Sequence, residues 1–215
     1  AERPAVGDWV AVHAGTDRAV IHGLVPRAGA FTRKVAGETT EEQVIAANVD
    51  VVLLVAGLDH DFNPRRLERY VVAAWESGAT PVLVLNKADL GERVEERVAE
   101  AAAAAPGVAV VAPSARERTG LEALGAWLTP GRTVALLGSS GAGKSTLANA
   151  LLGAERQATG EVRDDDSRGR HTTTRRELIV LPGGALLIDT PGLRELQLWS
   201  GEESLAGAFP DVEAL

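Results

Sequence analysis

Cysteine is absent from this chain, so its residues can build neither a disulfide nor a thiolate metal site. That suits a reducing compartment, and a cytoplasmic location is expected. No stretch approaches the roughly 18–20 continuous apolar residues of a membrane span, and no signal-peptide pattern opens the chain, so no membrane partner is expected. Aromatic residues are only 4% of the total, too few for an array of base-stacking platforms. Positive charge is also scarce. Lys and Arg number 22 against 30 Asp and Glu, a formal charge of −8, which excludes a protein that coats nucleic acid over its whole surface. Methionine is missing too, so Ala1 is not expected to be the initiating residue.

The 215 residues suit one medium domain with an appendage, and 45% hydrophobic content supplies a core. The first 35 residues read as short strands. "GDWVAVHA" alternates, "GTDR" punctuates, and "AVIHGLVPR" resumes, as in a hairpin from a small barrel that they are too few to complete. "FTRKVAGETTEEQ" is polar and reads as a linker. From Asp50 strands and helices alternate. "VVLLVAG" is a buried strand. Asn63-Pro64 starts a helix with Leu67, Val71 and Trp75 on one stripe. "PVLVLNKADL" and "VAVVAPSA" are further strands, with a Glu/Ala-rich helix between them. Thr119 and Glu122 have the spacing of a capping box for a helix bearing Leu121, Leu124 and Leu128. "RTVALLG" is a strand, "KSTLANALLG" a helix, and "RELIVLP" with "ALLIDTPG" a hairpin around Gly183-Gly184. The pattern predicts an α/β fold with a mostly parallel sheet covered by helices on both faces.

Gly138, Ser139, Ser140, Gly141, Ala142, Gly143, Lys144 and Ser145 fit the phosphate-loop pattern G-x-x-x-x-G-K-[ST], with Thr146 following. The glycines let backbone N–H groups turn toward phosphate oxygens. Lys144, one of only three lysines, would reach the β- and γ-phosphates, and the Ser145 hydroxyl would face Mg²⁺. Asp189 ends a strand and can hold the metal through water, while Gly192, two residues after Thr190, lets an N–H approach the γ-phosphate. "LNKAD" selects the base. Asp89 can accept from guanine N1–H and its exocyclic amine, Asn86 faces the O6/N7 side, and the Lys87 stem lies across the ring. Two charge-assisted bonds of about 1.5–3 kcal/mol each imply roughly hundred- to ten-thousand-fold preference over adenine. Ser114 can brace this loop, and the Ala115 N–H can reach guanine O6. A P-loop ATPase or kinase fits these residues poorly.

Guanine-reading elements ordinarily follow the phosphate loop; here they precede it. Residues 50–115 would supply the base-binding half and residues 130–192 the phosphate half. The order NKAD, SA, GSSGAGKS, HTTT, DTPG resembles the circularly permuted GTPases. "FNPRRLERY", "GRHTTT" and "DTPGLREL" resemble the ribosome small-subunit-dependent GTPase A family over almost the whole chain. That resemblance implies an N-terminal oligonucleotide-binding barrel, a permuted GTPase domain and a C-terminal zinc domain. It also implies late maturation of the small (30S) ribosomal subunit, with GTP hydrolysis to GDP stimulated by the particle and rRNA as a contact. The corresponding partition is residues 1–36 as part of the barrel, 37–201 as the GTPase domain and 202–215 as the start of the C-terminal domain. Only part of the barrel is expected, and no zinc, because the zinc-binding Cys/His segment is not in this chain. A monomer is expected.

A glutamine after D-x-x-G orients the attacking water in many GTPases; here that position is Leu193. The resemblance points instead to His171, and to Thr174 (or Thr173) as the switch hydroxyl on Mg²⁺. "GEVRDDDSRGRHTTTRR" is polar and Gly-flanked, so it is expected to be mobile without a partner or GTP. Its Arg163, Arg168, Arg170, Arg175 and Arg176 would meet rRNA, with Arg33-Lys34 and Arg65, Arg66 and Arg69 as further candidates. Large-subunit assembly, or a GTP-gated RNA-binding module with incidental hydrolysis, are the competing functions.

Overall fold

The computed structural model describes residues 3–15, 18–34, 42–154 and 177–189. Its centre is a six-stranded sheet in the order β7-β6-β5-β8-β10-β9. The strands are β5 (Val51–Gly57), β6 (Thr80–Asn86), β7 (Ala109–Val111), β8 (Thr133–Leu137), β9 (Glu177–Val180) and β10 (Leu186–Asp189). Every pairing is parallel except β9 with β10, the hairpin that the Gly183-Gly184 turn closes. Residues 50–115 thus give the three strands on one side, and the later residues the three on the other.

The unbroken apolar run of β5 is explained by burial on both faces. Val52, Leu54 and Ala56 point into one hydrophobic layer, and Val51, Leu53 and Val55 into the opposite one. Helices α1 (Pro64–Glu76) and α2 (Val94–Ala104) cover the first face, and α3 (Lys144–Leu152) covers the second with the 3-10 segment Leu121–Ala126. Period-two alternation is hidden in such a strand because neither face meets water.

The N-terminal residues form two antiparallel pairs. One joins β1 (Val10–Ala14) to β2 (Ala19–Leu24), and the other joins β3 (Ala30–Lys34) to β4 (Glu42–Ala47). The polar stretch read as a linker therefore carries strand residues at both ends. Phe31 at its start and Ile45 just beyond its end are 3% and 0% exposed in the layer beneath α1. Arg27 and Asp8 fasten the first pair with two charge-assisted hydrogen bonds of 2.7 and 2.8 Å.

Two local expectations need correction. Asn63 does cap α1, its Oδ1 accepting from the Arg66 N–H at 3.2 Å. The buried stripe, however, runs through Leu67, Tyr70, Val71 and Ala74, while Trp75 is 49% exposed. An i, i+4, i+8 row drifts around a helix of 3.6 residues per turn, so Trp75 leaves the face. The Thr119/Glu122 capping box does not form. Gly120 precedes the 3-10 segment in a left-handed conformation, and Thr119 spends its backbone on a reciprocal pair with Ser114. Arg66, one of the rRNA candidates, ion-pairs with Asp61 at 2.6 Å.

Candidate guanine-nucleotide site

Parallel strands put their carboxyl ends at one edge of the sheet, and the loops that leave β5, β6, β7 and β8 gather there. Chain order reverses between β5 and β8: from β5 the chain moves outward to β6 and β7, then returns past them to β8. Such a switch point opens a crevice where ligands of α/β sheets bind.

The phosphate loop leaves β8 on one side of this crevice. A Cβ on Gly138 would lie 2.1 Å from the Val55 carbonyl oxygen, so only glycine lets the loop start flush against β5. Gly143 has φ +90° and ends the loop at the first turn of α3, where no described side chain caps the helix. Its N-terminal N–H groups and positive dipole end therefore face the loop. Lys144 is 7% exposed, and its ammonium donates to the carbonyl of Gly138 at 2.6 Å and to that of Ser139. Ser140 and Gly141 are exposed, Ala142 is buried, and Ser145 and Thr146 are half-buried in the first turn of α3.

The "NKAD" loop leaves β6 on the other side. Asn86 is 2% exposed, and its side chain is committed to the protein. Nδ2 donates to Ala142 O at 3.1 Å, with Gly143 O at 3.5 Å, while Oδ1 accepts from the Ala115 N–H at 3.0 Å. Asn86 was expected to face a base edge, and Ala115 N–H a guanine oxygen. Here they bond each other, and Asn86 latches the loops after β6, β7 and β8 together. Lys87 adopts φ +67°, unusual for a residue with a side chain, and its ammonium meets Asp59 at 2.5 Å. Added methyls on Gly57 and Gly143 would come within 3.4 Å of Lys87 Cδ and 3.9 Å of Cε, so the stem passes between two loops. Burial opposes ionisation of Asp59, but hydrogen bonds from Lys87 and the Asp61 N–H outweigh it and leave the pKa below the usual carboxylate range.

Asp89 is exposed, and its Oδ1 accepts from Ser114 Oγ at 2.5 Å. Ser114 is 1% exposed and also accepts from the Glu117 N–H, so its hydroxyl is aimed from a fixed position. The carboxylate is thus held at the rim between the second and third loops. Asp189 ends β10, one strand from β8. His171, Thr173, Thr174, Gly192, Leu193 and the arginines at 163–176 lie outside the described residues. Among the described residues, no group of three or more His, Asp or Glu is placed to hold a metal ion.

Asp59 and Asp61 escaped the sequence reading, and Arg66 entered it only as an rRNA candidate. Their signal is present: D-x-D-x-N-P-x-R directly after a buried strand puts two carboxylates and an arginine at the carboxyl edge of a parallel sheet.

A mostly parallel sheet with the phosphate loop on its fourth strand and the "NKAD" loop on its second is a circularly permuted P-loop GTPase fold. The family model described as RsgA GTPase matches residues 24–199. The chain belongs to that family. It is 55% identical to the small ribosomal subunit biogenesis GTPase RsgA of Opitutus terrae, over 99% of this chain and 61% of that protein. It is 54% identical to the protein of the same name from Xylella fastidiosa, over 100% of this chain and 62% of that one. The chain thus spans about three-fifths of the length of these relatives. Among solved structures it resembles YjeQ from Thermotoga maritima, with TM-score 0.67 and 28% identity over 91% of this chain and 63% of that one. It shares the fold of YloQ, titled a circularly permuted GTPase, with TM-score 0.64 and 24% identity over 99% of this chain and 66% of that one.

Proposed function

We propose that this chain binds GTP across the β5/β8 crevice, hydrolyses it to GDP and phosphate, and serves maturation of the small ribosomal subunit. The observation that carries the reading is the Asn86 latch, which joins the loop of Asp89 to the phosphate loop, Asn86 and Ala142 being 56 positions apart and in the reverse of the ordinary order. The relatives named for small-subunit biogenesis supply the partner. Binding to rRNA and a monomeric, cytoplasmic protein complete the proposal. So does the division into residues 1–36, 37–201 and 202–215, with the Phe31 contacts and the β3–β4 pairing crossing the first boundary.

Each described residue then has a task. Asp89, aimed by Ser114, accepts the two N–H donors of guanine, and the Lys87 stem supplies an apolar surface to the ring. The N–H groups of residues 139–145 surround the β-phosphate, and Lys144 turns its ammonium from loop carbonyls to phosphate oxygens. One hydroxyl (Ser145) and one carboxylate at a strand end (Asp189) suit Mg²⁺, which takes few protein oxygens and keeps waters. The ion would supply charge neutralisation to the phosphates, and Thr174 is the proposed third contact. Gly192 would offer its N–H to the γ-phosphate. His171 orients water whose oxygen attacks the γ-phosphorus as the bond to the β–γ bridging oxygen breaks. With Leu193 in place of a polar side chain, turnover by the chain alone is slow.

Competition calorimetry with GTP, ATP and XTP tests the base assignment. Asp89→Asn replaces one of the two acceptor oxygens that guanine's two donors need with an amide NH₂, which can donate to the C2 carbonyl of xanthine. GTP affinity should fall at least about a hundredfold and XTP affinity rise. Equal affinity of the unaltered chain for ATP and GTP would end the reading. His171→Ala should retain GTP affinity and lose turnover stimulated by 30S particles.

A further inference from the structure

The loop 57–63 between β5 and α1 has no part in the assignments above, yet its Asp61 touches the phosphate loop. Ser139, the second residue of that loop, places its Oγ 2.6 Å from both Asp61 carboxylate oxygens. The Gly57 N–H donates to Oδ2 at 3.2 Å, and Arg66 Nη2 to Oδ1 at 2.6 Å. Arg66 also donates to the Asp61 main-chain carbonyl. The carboxylate is therefore bonded at once to the end of β5, the first turn of α1 and the start of the phosphate loop, on both sides of the crevice. The Asp61 side chain is only 16% exposed and that of Arg66 24%.

We propose that Asp61 is a positioning residue for the phosphate loop: through Ser139 it fixes the loop before nucleotide arrives, and Arg66 cancels the carboxylate charge that would otherwise repel the polyphosphate. The inference rests on the loop after β8 being the phosphate cradle. Its physical content is preorganisation. A loop held at Gly138 by contact with β5, and at Ser139 by Asp61, loses less freedom when phosphate binds, so more of the N–H···O energy appears as affinity. The effect must grow with the phosphate chain, because the base is gripped by other loops. The Arg66 half carries a separate sign. An unneutralised carboxylate beside the cradle opposes GTP more than GDP, since GTP brings more negative charge.

Ser139→Ala, Asp61→Asn and Arg66→Gln, each in the full 215-residue chain, would be titrated with GMP, GDP and GTP by competition against a fluorescent GDP. Thermal melting without nucleotide would run in parallel. Ser139→Ala should weaken GDP and GTP about tenfold, the loss of one charge-assisted hydrogen bond. GMP affinity should be unchanged. Asp61→Asn, which keeps an acceptor but no charge, should fall between Ser139→Ala and the unaltered chain. Arg66→Gln should weaken GTP more than GDP. Equal losses for GMP, GDP and GTP that follow the melting temperature would reduce the cluster to a structural tie and overturn the proposal. So would undiminished GDP and GTP affinity in Ser139→Ala. Failure of the base assignment is read separately, in the GTP-to-ATP ratio of the unaltered chain.

Discussion

Replacing Asn86 distinguishes a latch from a base-reading side chain. In Asn86→Ala the buried Ala115 N–H loses its acceptor and Ala142 O loses its donor. An orphaned buried N–H costs about 1–3 kcal/mol and a lost ordinary hydrogen bond about 0.5–1.5 kcal/mol. The sum is about 1.5–4.5 kcal/mol before any nucleotide is added, with an expected fall in melting temperature of about 3–18 °C for a domain of this size. Asn86→Asp is the sharper test. It retains the acceptor toward Ala115 but sets an oxygen against the carbonyls of Ala142 and Gly143, in a site where only 2% of the residue meets water. At neutral pH it should be less stable than Asn86→Ala, although it is closer to asparagine in shape. Lowering the pH protonates the new carboxyl, restores a donor and narrows the gap. Urea unfolding of the nucleotide-free chain, followed by circular dichroism at two pH values, gives the order directly. If both variants unfold at the midpoint of the unaltered chain, Asn86 does not hold the halves together.

Two further outcomes follow from packing and charge. Leu67→Ala, at a fully buried position of α1, should cost about 2–5 kcal/mol, while Trp75→Ala on the same helix should stay within about 1 kcal/mol; chemical denaturation compares them, and equal costs would refute the stripe assignment. Hydrogen bonding from Arg27 lowers the Asp8 pKa against a desolvation that acts to raise it, so the pair stabilises the fold fully above the ordinary aspartate value of about 3.9 and loses that contribution as pH falls through the folded value. Arg27→Gln should therefore cost about 1.5–3 kcal/mol at pH 7 and progressively less below pH ~4, and a deficit that is flat with pH would refute the linkage.

The sheet and its two glycine-bearing loops were legible because each is written in consecutive residues. "VVLLVAG", "PVLVLN" and "RTVALLG" announce buried strands, and G-x-x-x-x-G-K-S fixes a backbone path. The reversed order of motifs was equally plain, because order is a property of the chain. Less was visible where a residue's task depends on something distant in sequence. Nothing in "LNKAD" says that the Asn86 amide is spent on residues 115 and 142. Nothing in "GLDHDFNPRR" says that Asp61 reaches Ser139, 78 positions later. Phe31 was passed over because the polar residues after it dilute it, and Ile45 because its short apolar run follows directly on a stretch that reads as linker. Trp75 erred the other way, fitting the apolar row but lying past the point where the helix turns from the core.

Phe31 and Ile45 share an apolar layer with Val52, Leu54, Leu67 and Val71. The leading strands and the nucleotide-binding sheet are therefore not interchangeable cassettes on a string. Evolution could swap in a different leading module only if the newcomer brought its own plug for the same seat. Sequence drift at Phe31 is consequently policed by helix α1, not by whatever those strands touch outside the molecule.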